Sequence, residues 1–425
     1  MQAVINPGYI SGTVKIPGSK SMTQRAYAAA LLHTGSTIVR NPGNSADDLA
    51  ALHIIQQLGA KVHTLANNEI EIISHGVQPI ANYIDCGESG LAARLFTPIV
   101  AISHLPVTIN GSGSLLQRPM HAYTPVFEQL HITAADFNGY IPFTAKGPLK
   151  VQNITIDGSQ SSQFLSGLLF AYAFTAHEPT TITVIDLKSK PYIDLTLSIL
   201  EKYDKHVSHH DYSVFHIQPS VSISTAPVVI DIESDWSSAA FWLVAAAING
   251  EINIEGLNLD SLQADKAILG VLQSAGVSIN IGFQNIAVKK SRIRGFDFDA
   301  THAPDLFPVL AVLASFSFDE ESYITGLHRL WQKESNRATS ISDMLLSLEV
   351  DFSIEDDTLC IKGTKQVTGG YVDSYNDHRI AMAASVAAIK SRNAIIVDHA
   401  QAVNKSYPDF FRHLQALHIQ CSFND

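Results

Sequence analysis

The chain has 425 residues, 46% of them hydrophobic and only 16% charged, which is enough apolar material for two buried cores rather than one. A net charge of −12 disfavours a nucleic-acid surface, and the longest apolar run, Ala239 to Ile248, falls short of the roughly 18 residues that span a bilayer. The start, Met1-Gln-Ala-Val-Ile-Asn-Pro, lacks the regions of a signal peptide, and Cys86, Cys360 and Cys421 form no C-x-x-C pair; a cytoplasmic protein without a disulfide framework or structural zinc is expected.

Along the chain one pattern recurs six times. A short β-branched run precedes a polar cluster, the cluster opens an apolar Ala-rich helix, and an amphipathic helix follows. The first copy reads Val14-Lys-Ile, Pro17-Gly-Ser-Lys-Ser, a helix over Arg25 to Leu32, and a second helix over Ala46–Leu58. The second runs through Tyr83-Ile-Asp, Gly87-Glu-Ser-Gly and a helix over Tyr123–Leu130. The third has Ile154-Thr-Ile-Asp, Gly158-Ser-Gln-Ser-Ser-Gln, a helix over Ser162 to Phe174 and another over Tyr192–Tyr203. The fourth has Val229-Ile-Asp, Ser234-Asp-Trp-Ser-Ser and a helix over Gln263–Ser274. The fifth has Phe296-Asp-Phe-Asp, Ala303-Pro-Asp and a helix over Arg337–Leu348. The last has Tyr371-Val-Asp, Asn376-Asp-His-Arg and a helix over Pro408–Leu417.

The six clusters start 70, 71, 76, 69 and 73 residues apart, close to a sixth of 425, so the repeats fill the chain. Most amphipathic helices run into a further short strand, as in Leu58-Gly-Ala-Lys-Val, and each unit is therefore a βαβαββ repeat. Helices apolar on every side are buried on every side.

The polar clusters carry the chemistry. A helix N-terminus presents unpaired N–H groups and about half a positive charge, so it attracts phosphate. Lys20, Ser21 and Arg25 stand at the first start, Arg94 follows Gly90 at the second, and Ser161, Ser162 and Gln163 open the third; Arg379 belongs to the sixth. Arg118, Lys333, Arg337 and Lys405 stand where second helices begin. For a lone cation a surface role is the simpler explanation; recurrence at equivalent points of related units argues for a shared anion site. Pro17-Gly-Ser-Lys-Ser lacks the spacing of an ATP-binding loop. At the fourth start, Ser234-Asp-Trp-Ser-Ser, helix capping alone is expected.

Six segments together resemble the enolpyruvyl transferase family: Pro17-Gly-Ser-Lys-Ser-Met-Thr-Gln-Arg, Asp157-Gly-Ser-Gln-Ser-Ser-Gln-Phe-Leu, Ser189-Lys-Pro-Tyr-Ile-Asp, Lys333-Glu-Ser-Asn-Arg, Tyr375-Asn-Asp-His-Arg-Ile-Ala-Met and Lys405-Ser-Tyr-Pro-Asp-Phe-Phe. They occur in order along the whole chain. The resemblance implies an α/β fold, a two-domain inside-out barrel of six βαβαββ repeats, three per domain, with the active site in the interdomain cleft. One domain would cover residues 14–226, on the shikimate 3-phosphate side. Residues 1–13 with 227–425 would form the other, on the phosphoenolpyruvate and catalytic side.

The implied activity transfers the enolpyruvyl group of phosphoenolpyruvate to the 5-hydroxyl of shikimate 3-phosphate, releasing phosphate, on the route to chorismate and the aromatic amino acids. By family likeness Lys20, Asp305, Glu334 and His378 are catalytic. Lys20, Ser21, Arg25, Ser161, Ser162, Gln163, Ser189, Tyr192, Asp305 and Lys333 would bind shikimate 3-phosphate, and Lys20, Gly90, Arg118, Gln163, Arg337, Arg379 and Lys405 phosphoenolpyruvate. No cofactor or metal is implied, and a monomer with no nucleic-acid or membrane partner is expected.

The second start departs from the family pattern Gly-Asn-Ala-Gly-Thr-Ala-x-Arg-Pro, with Glu88, Leu91 and Leu95 in place of Asn, Thr and Pro. Transfer to a UDP-linked amino sugar is the sister activity, but its branch carries a Cys five residues before an Arg-Pro pair, where this chain has Gly113. An inactive phosphometabolite-binding paralogue would explain the departures at the second start, yet Lys20, Asp305, Glu334 and Arg379 are all retained. An RNA-end-processing enzyme on a related repeat fits poorly with the acidic charge.

Overall fold

A computed structural model of the chain describes residues 1–219, 226–282 and 285–424. The chain folds as two units, a terminal one formed by Met1–Pro17 with Ser234–Asp425 and a central one formed by Gly18–Glu233. Within the described residues the sheets are six, each of four strands.

The third repeat gives the pattern. Ile154–Asp157 pairs in parallel with Thr180–Ile185, which pairs antiparallel with Val214–Ile217, and Val207–His210 closes the sheet from the far side. The first two strands are parallel because helix Ser162–Thr175 carries the chain back between them; the last two form a hairpin. Thr180–Ile185 alternates buried and half-buried side chains, as a sheet covered on one face requires. The helix that returns the chain is buried on almost every side. Gly167 marks where it meets its neighbour, helix Gly90–Val100: a Cβ there would lie 2.7 Å from the Leu95 carbonyl oxygen.

Three strands change partners across the repeats. Ile10–Lys15, which precedes the first cluster, pairs in parallel with Gly250–Glu255 of the terminal unit. Reciprocally, Val228–Asp231, which precedes the fourth cluster, pairs with Thr34–Arg40 of the central unit. Gln2–Ile5 completes the last sheet between Ile395–Asp398 and Cys421–Asn424. The expected cuts at residues 14 and 226 therefore need correction. The first would sever Ile10–Lys15 from its sheet, and the second would assign Val228–Asp231 to the wrong core; the division falls after Pro17 and after Glu233.

The helix expected over Gln263–Ser274 is instead a 3₁₀ turn, Ala264–Ala267, followed by helix Ile268–Ser274. At its entry the Gln263 side chain is drawn to the start of helix Trp236–Asn249, accepting from the Trp236 N–H at 3.0 Å and donating to the Ser234 carbonyl at 2.9 Å. No helix among the described residues is long and apolar enough to cross a membrane.

Candidate active site

In the terminal unit the site is built on the start of helix His378–Ala388. Tyr375 and Asn376 precede it with φ of 51° and 54°, a left-handed conformation that non-glycine residues adopt at a cost of order 1–3 kcal/mol each. Asp377 caps the helix, its Oδ1 accepting from the Arg379 N–H at 2.9 Å. Its Oδ2 meanwhile receives the Arg337 Nε–H at 2.9 Å and the Ser335 hydroxyl at 3.2 Å. One fully buried carboxylate thus fixes both a backbone turn and a guanidinium.

Arg337 opens helix Arg337–Ser347 and is itself fully buried. Its fork spans three carboxylates: Asp377 through Nε and NH2, Asp305 Oδ1 through NH1 at 3.0 Å, and Glu334 Oε2 through NH2 at 2.5 Å. Arg379 takes the other oxygen of Asp305, NH2 to Oδ2 at 2.9 Å, and its NH1 donates to the Ser237 hydroxyl at 2.9 Å. Each oxygen of Asp305 therefore faces a different arginine. Burial pushes the Asp305 carboxyl up, but Arg379, Lys333 and Arg337 outweigh it and hold the group well below the ordinary carboxylate range. Asp305 is ionised at neutral pH, with little intrinsic basicity while both guanidiniums remain.

In Lys333 the charged form is the one disfavoured. Burial lowers its ammonium to about 8, against the pull of Asp305, with Arg337 and Arg329 adding to the fall. Lys405 is buried and donates to the Asn376 carbonyl at 2.7 Å, tying it to the strained turn before Asp377. His378, the first residue of its helix, is 1% exposed.

The fourth start does more than cap. Asp235 does accept from the Ser238 N–H at 2.7 Å, but Ser237 also receives Arg379 and donates its own hydroxyl to Asp265. The capping role alone misses this because Ser237 is the second residue of the helix, and its hydroxyl meets the sixth start through Arg379.

In the central unit, Lys20 opens helix Lys20–Leu32 and its ammonium pairs with Asp47 at 2.8 Å. Arg25 lies one turn on and is 1% exposed. Its guanidinium donates to the Thr196 hydroxyl at 2.9 Å, the Ser21 carbonyl at 2.9 Å and the Tyr192 carbonyl at 3.2 Å, joining the first start to helix Pro191–Glu201. Burial pulls it down to about 10. Ser161 caps helix Ser162–Thr175 through the Gln163 N–H, leaving Ser162 in the first turn. The Gln163 side-chain oxygen accepts from Arg94 at 2.8 Å, and Arg94 in turn lies over the Phe164 ring. Ser189, just before Pro191–Glu201, has φ 55° and is nearly buried.

Gly90 and Arg118 meet closely. A Cβ on Gly90 would fall 2.5 Å from Arg118 Cζ, so the bare helix start is a seat for that guanidinium. The Glu88 Oε2 accepts from the Ser114 N–H at 3.4 Å, close to Gly113.

The sequence-predicted residues thus gather into two constellations, one in each unit. Asp47, Ser237, Asp265 and Asp377 are additional members that sequence reasoning missed. Asp377 stood inside a quoted motif, but an Asp before an apolar helix reads as a cap, and it is one. Its second bond, to Arg337, joins residues 40 positions apart in sequence and leaves no local signal.

A family model described as EPSP synthase (3-phosphoshikimate 1-carboxyvinyltransferase) matches residues 4–414. A 3-phosphoshikimate 1-carboxyvinyltransferase of Clostridium novyi (strain NT) is 33% identical over 422 residues, 97% of this chain and 96% of its own length. Among solved structures, an EPSP synthase from Acinetobacter baumannii superposes with a TM-score of 0.82 at 24% identity, over 99% of this chain and all of the other. The enolpyruvyl transferase NikO from Streptomyces tendae gives 0.79 at 16% identity, over 99% and 98%. The fold is the two-domain inside-out α/β barrel of these neighbours.

Proposed function

The chain belongs to the EPSP synthase family, and from that premise we infer that it transfers the enolpyruvyl group of phosphoenolpyruvate to the 5-hydroxyl of shikimate 3-phosphate, releasing phosphate. The observation that carries the assignment of residues is the Arg337 fork, which gathers Asp305, Glu334 and Asp377 while Arg379 takes the second oxygen of Asp305.

Both substrates are small polyanions, and the cations of both units suit them. Ser161, Ser162 and Ser189, with Lys20, offer hydroxyls and charge for the 3-phosphate at the third helix start. Ser21, Tyr192 and Gln163 line the same elements, and Arg25 holds those elements in register from behind. Arg118 on its Gly90 seat, with Lys20, Gln163, Arg379 and Lys405, supplies the charge for the carboxylate and phosphate of phosphoenolpyruvate. Arg337 belongs to that cage as the counter-charge of its carboxylates.

In the chemical step the 5-hydroxyl oxygen attacks C2 of phosphoenolpyruvate and gives its proton to a base, while C3 accepts a proton, producing a tetrahedral intermediate. The base is Asp305, ionised and able to accept from the ring hydroxyls. Glu334, in its protonated form, delivers its proton to C3 and takes one back as phosphate leaves, so that one carboxyl serves in both directions, and the proton held by Asp305 departs with the phosphate. Lys333, with an ammonium lowered to about 8, stands beside them as a donor to the charge developing on the reacting atoms. His378 is buried at the helix start, next in sequence to Arg379.

The test is phosphate release from purified protein with shikimate 3-phosphate and phosphoenolpyruvate. Release that needs both substrates, and that Asp305→Ala and Glu334→Ala abolish, is expected. Release with a UDP-linked amino sugar instead would transfer the chain to the sister activity. Binding of both substrates without turnover would make it an inactive paralogue.

A further inference from the structure

Asp265 is a buried carboxyl with no place in the chemistry above. It is 3% exposed, and its Oδ1 has no hydrogen-bond partner among the described residues. Its Oδ2 accepts the Ser237 hydroxyl proton, and the Ser237 oxygen in turn accepts from Arg379 NH1 at 2.9 Å. With Asp265 ionised the donors run in one direction, from guanidinium to hydroxyl to carboxylate, because Arg379 has only protons to give and the carboxylate only lone pairs. The turn that carries Asp265 is anchored independently, because Gln263 bridges the Trp236 N–H and the Ser234 carbonyl. Burial drives the Asp265 carboxyl up to about 7, with the Asp305 charge adding to it and Arg379 opposing. A side chain kept in so unfavourable a place, with one oxygen unsatisfied, needs a compensating task.

We propose that Asp265, acting through Ser237, is a positioning residue for Arg379, fixing the roll of the guanidinium so that NH2 is aimed at the reacting side of the site. Arg379 has two terminal nitrogens. NH1 donates to Ser237, which Asp265 anchors, and more distantly to the Asp305 carbonyl oxygen at 3.4 Å; the Ser237 bond helps to set the plane of the fork, and NH2 is then presented to Asp305 Oδ2 at 2.9 Å. Without the tether the side chain keeps its charge and its bonds to Asp305 but loses the nearer of its two NH1 anchors, so its orientation loosens, which weakens bidentate recognition of an anion more than it weakens simple attraction. The inference rests on the reading that Arg379 holds phosphoenolpyruvate.

The experiment measures both KM values and kcat for Ser237→Ala, Ser237→Thr, Asp265→Leu, Asp265→Asn and Arg379→Ala in the full chain, with thermal unfolding of each. Ser237→Ala and Asp265→Leu should raise KM for phosphoenolpyruvate about tenfold, the worth of one charge-assisted bond, while KM for shikimate 3-phosphate changes less than twofold. Ser237→Thr and Asp265→Asn keep an acceptor in each position and should stay within threefold of the parent. The positioning role is overturned if Ser237→Ala, a mild truncation at a half-buried site, leaves the phosphoenolpyruvate KM unchanged while Arg379→Ala raises it. It is equally overturned if both KM values rise together, which is the mark of a general structural defect. An unchanged KM in Arg379→Ala would fail the anion reading of Arg379 instead.

Discussion

Replacement of Arg337 bears most directly on this site, because the residue is fully buried yet makes four bonds to three carboxylates. Arg337→Ala leaves Asp377, whose side chain is 0% exposed, without its counter-charge. Breaking a buried pair by removing one partner costs about 3–5 kcal/mol. For a unit of this size each kcal/mol moves the midpoint by roughly 2–4 °C, so a fall of roughly 6–20 °C is expected. Arg337→Lys separates charge from geometry. The ammonium restores the sign but cannot span Asp377, Asp305 and Glu334 as a planar fork does. Stability should recover by more than half, whereas kcat should stay at least about a hundredfold down, since a displacement near 1 Å of reacting groups costs that much. Differential scanning calorimetry with steady-state phosphate release measures both. A Lys variant with kcat within threefold of the parent would refute the claim that the fork aligns Asp305 and Glu334.

Gly90→Ala puts a methyl group 2.5 Å from Arg118 Cζ, so the guanidinium must leave its seat; KM for phosphoenolpyruvate should rise tenfold or more, about 1.5–3 kcal/mol for a charge-assisted contact, with little change in melting temperature, and an unchanged KM would contradict the seat. Ser189 has φ 55°, so Ser189→Gly should leave stability equal or higher while raising KM for shikimate 3-phosphate about tenfold, and loss of stability in that variant would show that the strain is not where the backbone puts it. Asp48, capping the helix after the first start through Ser45, is driven by burial up to about 7, against the Ser45 bonds. Between about pH 4 and 7 the folded chain holds a proton there that the unfolded chain has lost, so its stabilising share is full at low pH and falls as pH rises through 7. Asp48→Asn, neutral throughout, should gain on the parent from pH 4.5 to pH 8 by at most about 3 kcal/mol in urea unfolding, and a gain in the reverse direction would sink the argument.

What the sequence made legible was whatever lies close along the chain. The strand before each cluster, the buried helix after it and the amphipathic helix that follows are all set by local periodicity, and the 70-residue rhythm repeats that signal. Partner choice between strands is not local. Nothing in Val14-Lys-Ile by itself says that Ile10–Lys15 joins Gly250–Glu255 rather than the sheet of its own repeat. The same limit applies to the site. Lys20, Asp305 and Arg379 announce themselves as charges at helix starts, whereas Ser237 and Asp265 resemble ordinary capping and turn residues until the fold brings Arg379 against them. Arg337 reads as one more cation of an anion cage, because sequence reports charge but not whether carboxylates already surround it.

The division of Asp305 between two arginines also bears on how a weak base can serve the reaction. With Arg337 on Oδ1 and Arg379 on Oδ2 the carboxylate is too well stabilised to take a proton readily. Arg337 is enclosed by carboxylates and cannot leave them cheaply, but Arg379 is shared. If the anion of phosphoenolpyruvate draws Arg379 NH2 toward itself, Asp305 loses one counter-charge and keeps the other, and its basicity rises as the second substrate arrives. The tether through Ser237 to Asp265 would hold the guanidinium within reach of both partners during that exchange. On this argument the low basicity of Asp305 is a property of the waiting site, and the base is activated by the same anion whose carbon is to be attacked.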